Sequence, residues 1–388
     1  MSISAVNCGL NMNENLYEGR EQSLIKHLIL QRYLERFAFI IGSWKESITY
    51  IDCFSGPWKS KSESYDDTSF AIVIKQLRAA RTALALKGKA PRLRALFIER
   101  DPGAYAQLQK YAQGIDDVEI ATLNADLEDS IDEITGFIHQ DAQTFPFIFI
   151  DPKGWSGFSL DVIRPLLQMS PCEVLINFMT QHIVRFINNE ASQESFERLF
   201  GSKDFRDRLA GTDKEDRVDA AVFEYRNAVS SAGAFEFPGI AAILNPIKSR
   251  SHFHLIYLTR SSKGLEVFKG AEKKSMEDME SARANAEQKR RESLTGQMEL
   301  FGAENAPESD YFQSLRDRYR GLAAETLTDI LDRNVNLPFD DAWKLWLRFP
   351  MTWESDLKAW IAHEKITITG IAAGKRVPMR GKNHLLAK

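Results

Sequence analysis

The sequence is poor in several things, and each shortage narrows what the protein can be. Only three of its 388 residues are cysteine, Cys8, Cys53 and Cys172. They are widely spaced, with no C-x-x-C and no Cys/His cluster, so a disulfide scaffold and a zinc ribbon are both excluded, and no metal site is expected. No apolar run approaches the roughly 18 residues of a membrane span; the longest, Phe145 to Ile150, is interrupted by Pro146. The N-terminus MSISAVNCGLNMNEN has no basic stretch followed by an apolar one, so no secretory signal is expected. Glycine-rich phosphate loops of the GxGxxG kind are missing as well. Neither sign of charge dominates, with 50 Lys and Arg against 54 Asp and Glu. A balance near zero does not exclude nucleic acid, for which only the local distribution matters. These features predict a soluble, cytoplasmic chain with no membrane contact.

What is present is a repeating strand–helix pattern. Leu30, Tyr33, Leu34, Phe37, Ile41 and Trp44 recur at helical spacing within residues 21–44. Five β-type runs follow: Ser47–Ile51, Leu93–Ile98, Val118–Leu123, Phe147–Ile150 and Cys172–Phe178. The segments between them, 70–86, 103–113, 128–140 and 160–169, are long enough for helical crossovers. Near-continuous apolar strands argue for burial on both faces, hence a doubly wound parallel α/β sheet. A capping box, Thr212 to Glu215, opens a helix ending near Gly233. Two further β-type runs, 235–243 and 252–259, then suggest a seven-stranded Rossmann-like sheet closed by a terminal hairpin.

Residues 271–293 are almost free of apolar side chains and predict a solvated charged helix or linker. Beyond them, helical patterns at 310–320, 322–333, 339–347 and 353–363 precede a β-type run, Lys365–Thr369, and a basic tail. That order predicts a winged helix. The expected organisation is therefore a sheet domain with its N-terminal helix over 1–270, a charged helical linker over 271–307, and a winged-helix domain over 308–388. Lys375, Arg376, Arg380 and Lys382 on the wing, with Lys358 on the helix before it, form a candidate phosphate footprint. A solvated tail is the plain alternative.

The chemistry is expected where strands end. Four of the first five strands stop at or near an acid: Asp52, Glu99, Asp126 and Asp151. A single such acid is often only a helix cap, but in open α/β sheets the carboxyl ends of the strands form the ligand crevice. The first loop, Asp52-Cys53-Phe54-Ser55-Gly56-Pro57-Trp58, has one glycine and a proline that removes a backbone donor, which is poor for pyrophosphate. A cationic, phosphate-free cofactor suits it better, and S-adenosylmethionine carries both an ammonium and a sulfonium. Asp52, Phe54 and Gly56 would then face its methionine end, Glu99 its ribose hydroxyls and Asp126 its adenine amino group. In the fourth loop, Asp151 and Pro152 could hold the N–H groups of a methyl acceptor and Trp155 could stack on a base. Cys172 follows Pro171 as a nucleophilic cysteine can, yet it opens the fifth strand and is expected to be a buried apolar residue.

Taken together, YIDCFSGPW, FIERDP, NADLED, FIFIDPKGWSG and HFHLIYLTRSSKGLEVF resemble the three-Cys-motif partner (TcmP) family. The resemblance covers roughly residues 20–370. It implies a class I S-adenosylmethionine-dependent methyltransferase fold with a C-terminal winged helix, and a partner protein whose three-cysteine motif suits an iron–sulfur cluster. Against that family's D-x-F-A-G-P-G loop, this chain has Ser55 for Ala and Trp58 for Gly. Two other functions stay open: a nicotinamide-dependent dehydrogenase, and a degenerate methyltransferase fold, its mouth closed by Trp58, that serves as a nucleic-acid-binding or assembly module. Gln297–Phe301 also resembles, with Met298 in place of Leu, the peptide with which bacterial replication proteins dock on the sliding clamp; docking onto this chain's own sheet domain is the plainer alternative.

Overall fold

The computed structural model describes residues 12, 14–56, 60–186, 189–209, 214–245, 248–295, 309–333, 336–371 and 377–387. Helix α1 (Glu21–Gly42) leads into β1 (Ser47–Asp52), α2 (Ser69–Ala85), β2 (Arg92–Ile98), α3 (Pro102–Gln113), β3 (Glu119–Leu123), α4 (Ile131–His139), β4 (Thr144–Ile150), α5 (Leu160–Gln168) and β5 (Glu173–Phe178). A helical insert follows: α6 (Thr180–Phe186), α7 (Gln193–Phe200), α8 (Phe205–Leu209) and α9 (Lys214–Gly233). Strands β6 (Gly239–Leu244) and β7 (Ser251–Leu258) then complete a seven-stranded sheet in the order β3-β2-β1-β4-β5-β7-β6.

Strands β1 to β5 are parallel, and β7 is antiparallel to both of its neighbours. This is the class I methyltransferase form of the Rossmann-like α/β sheet, with the N-terminal helix lying on it. Strands β1, β4 and β5 are buried along their whole length, as a sheet covered on both faces requires. Chain order reverses between β1 and β4, so the sheet has its switch point there and a crevice opens at their carboxyl ends.

Past the sheet the structure departs from the sequence pattern in two places. Residues 262–295 form one helix, α10 (Ser262–Thr295), where a solvated charged helix or linker is expected from residue 271: the helix is present, but one of its faces is buried. Met276 and Met279 are 1% exposed and join the cluster that α1 buries, and Arg32 of α1 donates to Ser275 at 2.9 Å. Few apolar residues were enough because they all fall on one face. Secondly, the two helices expected over 310–333 are one, α11 (Asp310–Leu331). Gly321 does not break it, because a single interior glycine costs only about 1 kcal/mol while Tyr319, Ala323 and Leu327 are packed on either side.

The rest of the C-terminal module is β8 (Leu337–Pro338), α12 (Phe339–Leu347), α13 (Glu354–His363), β9 (Thr367–Thr369) and β10 (Leu385–Ala387), with a small antiparallel sheet ordered β8-β10-β9. Strand β8, two residues long, was not visible in the sequence. Among the described residues no helix is long and apolar enough to cross a membrane.

Candidate cofactor cleft

The loops leaving the carboxyl ends of β1 to β4 converge on one cleft. Phe54, Glu99, Asp126, Leu127, Asp151 and Pro152 all line it. Its cavity volume is about 90 Å³, below the roughly 300–1,000 Å³ of small-molecule sites. The parallel register places the acids: Asp52 stands opposite Phe97 and Phe149, so Glu99 and Asp151 emerge from the two strands that flank β1, at nearly the same level.

Glu99 is 2% exposed, and its carboxylate accepts the Asp101 N–H at 2.7 Å. Burial pushes its carboxyl up. Asn124 fixes the backbone beneath it, donating to the carbonyls of Glu99 and Arg100 at 2.8 and 3.1 Å. Asp126 is exposed on the opposite wall, 3.5 Å from the Arg100 guanidinium.

Asp52 is placed differently. It is fully buried and is not among the lining residues. Its carboxyl accepts from Ser69 Oγ at 2.7 Å and from Phe54 N–H at 3.1 Å, tying the first loop to the start of α2. Burial, with a smaller contribution from the nearby Asp151 charge, pushes it up to about 6 despite those hydrogen bonds. Ser55 stitches the same loop to β2: its hydroxyl donates to the Asp52 carbonyl at 2.8 Å and accepts the Ile98 N–H at 3.2 Å. Gly56 does not line the cleft, and Trp58 lies outside the described residues.

Asp151 reaches the cleft from the end of β4, but its carboxylate is already engaged. Lys26 of α1 forms an ion pair with one oxygen, and Asn177 of β5 donates to the other at 2.6 Å. The Asn177 side-chain oxygen Oδ1 beside them is buried and has no hydrogen-bond partner. Pro152 is buried on the cleft wall. Trp155 is not in the cleft: its ring packs against Phe186 and Phe196, at 4.9 and 5.5 Å between centroids. The expected base-stacking residue is thus partly buried, packed against the core under the helical insert.

Lys26, Asn177 and Ser69 are site residues that the sequence pattern did not identify. Asn177 left a trace, a polar residue in the otherwise apolar run Val174-Leu175-Ile176-Asn177-Phe178. Lys26, one charge on an amphipathic helix, left none. Cys172 is buried, as expected, with its thiol 3.0 Å from the Met169 carbonyl.

Two of the five residues of the expected basic footprint are committed to contacts within the chain. Lys358 pairs with Glu354 at 2.5 Å. Arg380 stacks over Trp343, 3.7 Å from its ring centre, and pairs with Glu266 at 3.3 Å. Lys382 is exposed, whereas Lys375, Arg376 and the segment Gln297–Phe301 lie outside the described residues.

Neither a protein-family model nor a curated protein sequence matches the chain. Solved structures do. A Legionella pneumophila protein of family DUF519 matches with a TM-score of 0.38 at 14% identity, over 66% of this chain and 92% of that one. A candidate methyltransferase from Thermobifida fusca gives 0.35 at 11%, over 62% and 83%. A loganic acid methyltransferase solved with SAH gives 0.30 at 8%, over 67% and 83%. The fold assignment rests on strand order rather than on these likenesses.

Proposed function

We propose that the chain is an S-adenosylmethionine-dependent methyltransferase acting on an amino nitrogen of nucleic acid or another nucleobase-containing substrate. One observation carries this reading: a buried carboxylate, Glu99, on the wall of a switch-point cleft and flanked there by Phe54, Ile98 and Leu127. A flat base attached to a ribose suits that combination of one strong acceptor and apolar walls. When bound, the cofactor supplies an electrophilic methyl group. Glu99 would accept the ribose hydroxyls and Asp126 the adenine amino group. Asp52 would act indirectly, by holding the first loop through Phe54 N–H and Ser69. Asp151 and the carbonyl before Pro152 would accept the N–H groups of the substrate, so that positioning supplies much of the effect.

Supporting the wider reading, the C-terminal order of helix, short strand, two helices and a further pair of short strands, with β10 between β8 and β9, is compatible with a winged helix, a module that binds nucleic acid or protein. The TcmP resemblance adds a three-cysteine partner. The clamp peptide at Gln297–Phe301 is a further, independent expectation.

Calorimetry on the purified chain tests the cofactor. S-adenosylmethionine and its demethylated product should both bind, and Glu99→Ala should weaken binding by about 1–3 kcal/mol, the value of hydrogen bonds to a charged group. Binding of NAD with no heat from either of the other two would overturn the reading. The acceptor side is tested separately. Asp151→Ala should leave cofactor affinity nearly unchanged while removing the methyl mark that mass spectrometry finds in nucleic acid from cells carrying the protein.

The degenerate-fold alternative has one observation in its favour: Asp151 is clamped by Lys26 and Asn177. If cells with and without the protein have identical nucleic-acid methylation although the cofactor binds, that alternative is the correct one.

A further inference from the structure

Away from the cleft, the seam between α9 and α12 holds positive charge that nothing balances. Arg226 of α9 is 5% exposed. Its Nη1 donates to the Arg348 carbonyl at 3.3 Å, and its Nε and Nη2 donate to Asn227 Oδ1 at 3.2 and 2.9 Å. All of these acceptors are neutral. Arg348, at the C-cap of α12, is half-buried. Lys344, one turn earlier on α12, lies 5.2 Å from the centre of the Phe237 ring. Among the described residues, no carboxylate pairs with any of the three. Ser230, one turn beyond Arg226 on α9, has a buried hydroxyl with no hydrogen-bond partner.

Three buried cations elsewhere have carboxylate partners: Arg94 pairs with Glu119, Lys269 with Glu272 and Arg283 with Glu280. A desolvated cation without a counter-charge is unfavourable. Accordingly, burial together with the Arg348 charge pushes Arg226 down to about 9, and burial lowers Arg348 as well. The negative end of α12, where Arg226 donates to the cap carbonyl, offsets part of one charge. It leaves Arg348 and Lys344 uncompensated.

We infer that this seam is a binding site for a phosphate group, either free or carried by a nucleotide or nucleic-acid backbone. Guanidinium forks match phosphate oxygens in pairs; Lys344, four residues before Arg348, adds a point charge on the same face of α12, and the hydroxyl of Ser230, four residues past Arg226, can donate to one more oxygen. A dianion with several oxygens uses all four groups, whereas a single carboxylate would leave some idle. The site does not depend on the cofactor cleft and would stand if that cleft bound something else.

Thermal unfolding of the full chain tests it, with inorganic phosphate titrated against sodium chloride at matched ionic strength. Phosphate should raise Tm in a concentration-dependent way beyond the effect of chloride. Arg226 also holds the end of α12, so the variants are Lys344→Gln and Arg348→Gln, whose side chains form no hydrogen bond that the fold needs. Each should weaken phosphate binding about tenfold or more. Without phosphate, each should leave Tm unchanged or higher, because a like charge has been removed. A merely structural role predicts the opposite sign, a lower Tm with the phosphate increment intact, and that result overturns the site. So does a wild-type chain to which phosphate and chloride are equivalent. A short single-stranded oligonucleotide added as competitor separates the sources: displacement of phosphate assigns the site to a nucleic-acid backbone, and its absence assigns it to a free phosphate or nucleotide.

Discussion

Asp52 shows how a residue can be correctly singled out and have its role misread. An acid at the end of a buried strand stood out in the sequence, as did Glu99 and Asp151. What a linear pattern does not carry is which way the carboxyl turns. Ser69, 17 residues away, takes up one Asp52 oxygen, and the carboxyl ends inside the protein rather than on the cleft wall. The same blindness applies to Asp151, whose partners lie 125 and 26 residues away on α1 and β5. The structure makes a pH prediction for Asp52. Its carboxyl titrates near 6 in the folded chain against 3.8 normally, so the folded state holds the proton more tightly than the unfolded state does. That stabilisation is complete at about pH 4 and below, is lost as pH rises towards 6, and does not change further above that. Over about two units it amounts to roughly 3 kcal/mol at most. Asp52→Asn keeps an acceptor for the Phe54 N–H and turns an NH2 donor towards the Ser69 hydroxyl oxygen, which can accept, and it has no proton to lose. It should therefore unfold at a higher temperature than wild type near neutral pH and at about the same temperature near pH 4. Calorimetric scans at the two pH values check this, and an equal difference at both would show that Asp52 ionises normally.

Among the elements, the sheet was the legible part. Runs such as Ile48-Thr49-Tyr50-Ile51 and Phe147-Ile148-Phe149-Ile150 have nowhere to go but between two layers, and the crossover segments between them fix parallel pairing. The buried face of α10 was not legible, because the average composition of 271–293 is polar and the burial that matters is confined to one stripe. Ala271, Ser275, Met276, Met279, Ala282 and Arg283 are all buried, at spacings of three and four that a composition count averages away. Met279 also accepts the Leu244 N–H at the end of β6, at 3.4 Å to sulfur. A solvated linker tolerates Met276→Ala with an effect within about 0.5 kcal/mol. A packed helix does not: truncating a fully buried methionine costs about 2–5 kcal/mol. Urea titration of Met276→Ala should show a loss in that larger range with the slope m unchanged, and a near-neutral result would return α10 to the solvent.

At the scale of the whole molecule, the question is whether the C-terminal module unfolds by itself. Its core is centred on Trp343 and Trp346, 1% exposed each, and Leu265 from the first turns of α10 belongs to the same cluster. Several polar contacts fasten it to the rest. Lys269 of α10 pairs with Glu272 and donates to the Phe349 carbonyl at 2.8 Å; Glu272 in turn accepts the Met351 N–H at 2.8 Å. Arg318 and Tyr319 of α11 both donate to Asp219 of α9, at 2.8 and 2.9 Å, and Phe223 of α9 meets Phe349 edge to face at 5.4 Å. Lys269 and Glu272 are both buried, 3% and 0% exposed. Their attraction therefore offsets a large desolvation penalty, and removing one partner strands the other. Lys269→Met should destabilise the chain by roughly 3–5 kcal/mol, whereas Lys269→Met with Glu272→Met should recover most of that loss, because an apolar pair of similar volume avoids the desolvation altogether. Tryptophan fluorescence, which reports mainly on the C-terminal module, and far-ultraviolet circular dichroism should lose signal at the same temperature in wild type and in both variants, since the buried contacts join the two parts into one cooperative unit. Fluorescence that melts first in wild type would mean that the module is only loosely docked. A double variant as unstable as the single one would mean that packing volume at the junction, rather than the stranded carboxylate, sets the loss.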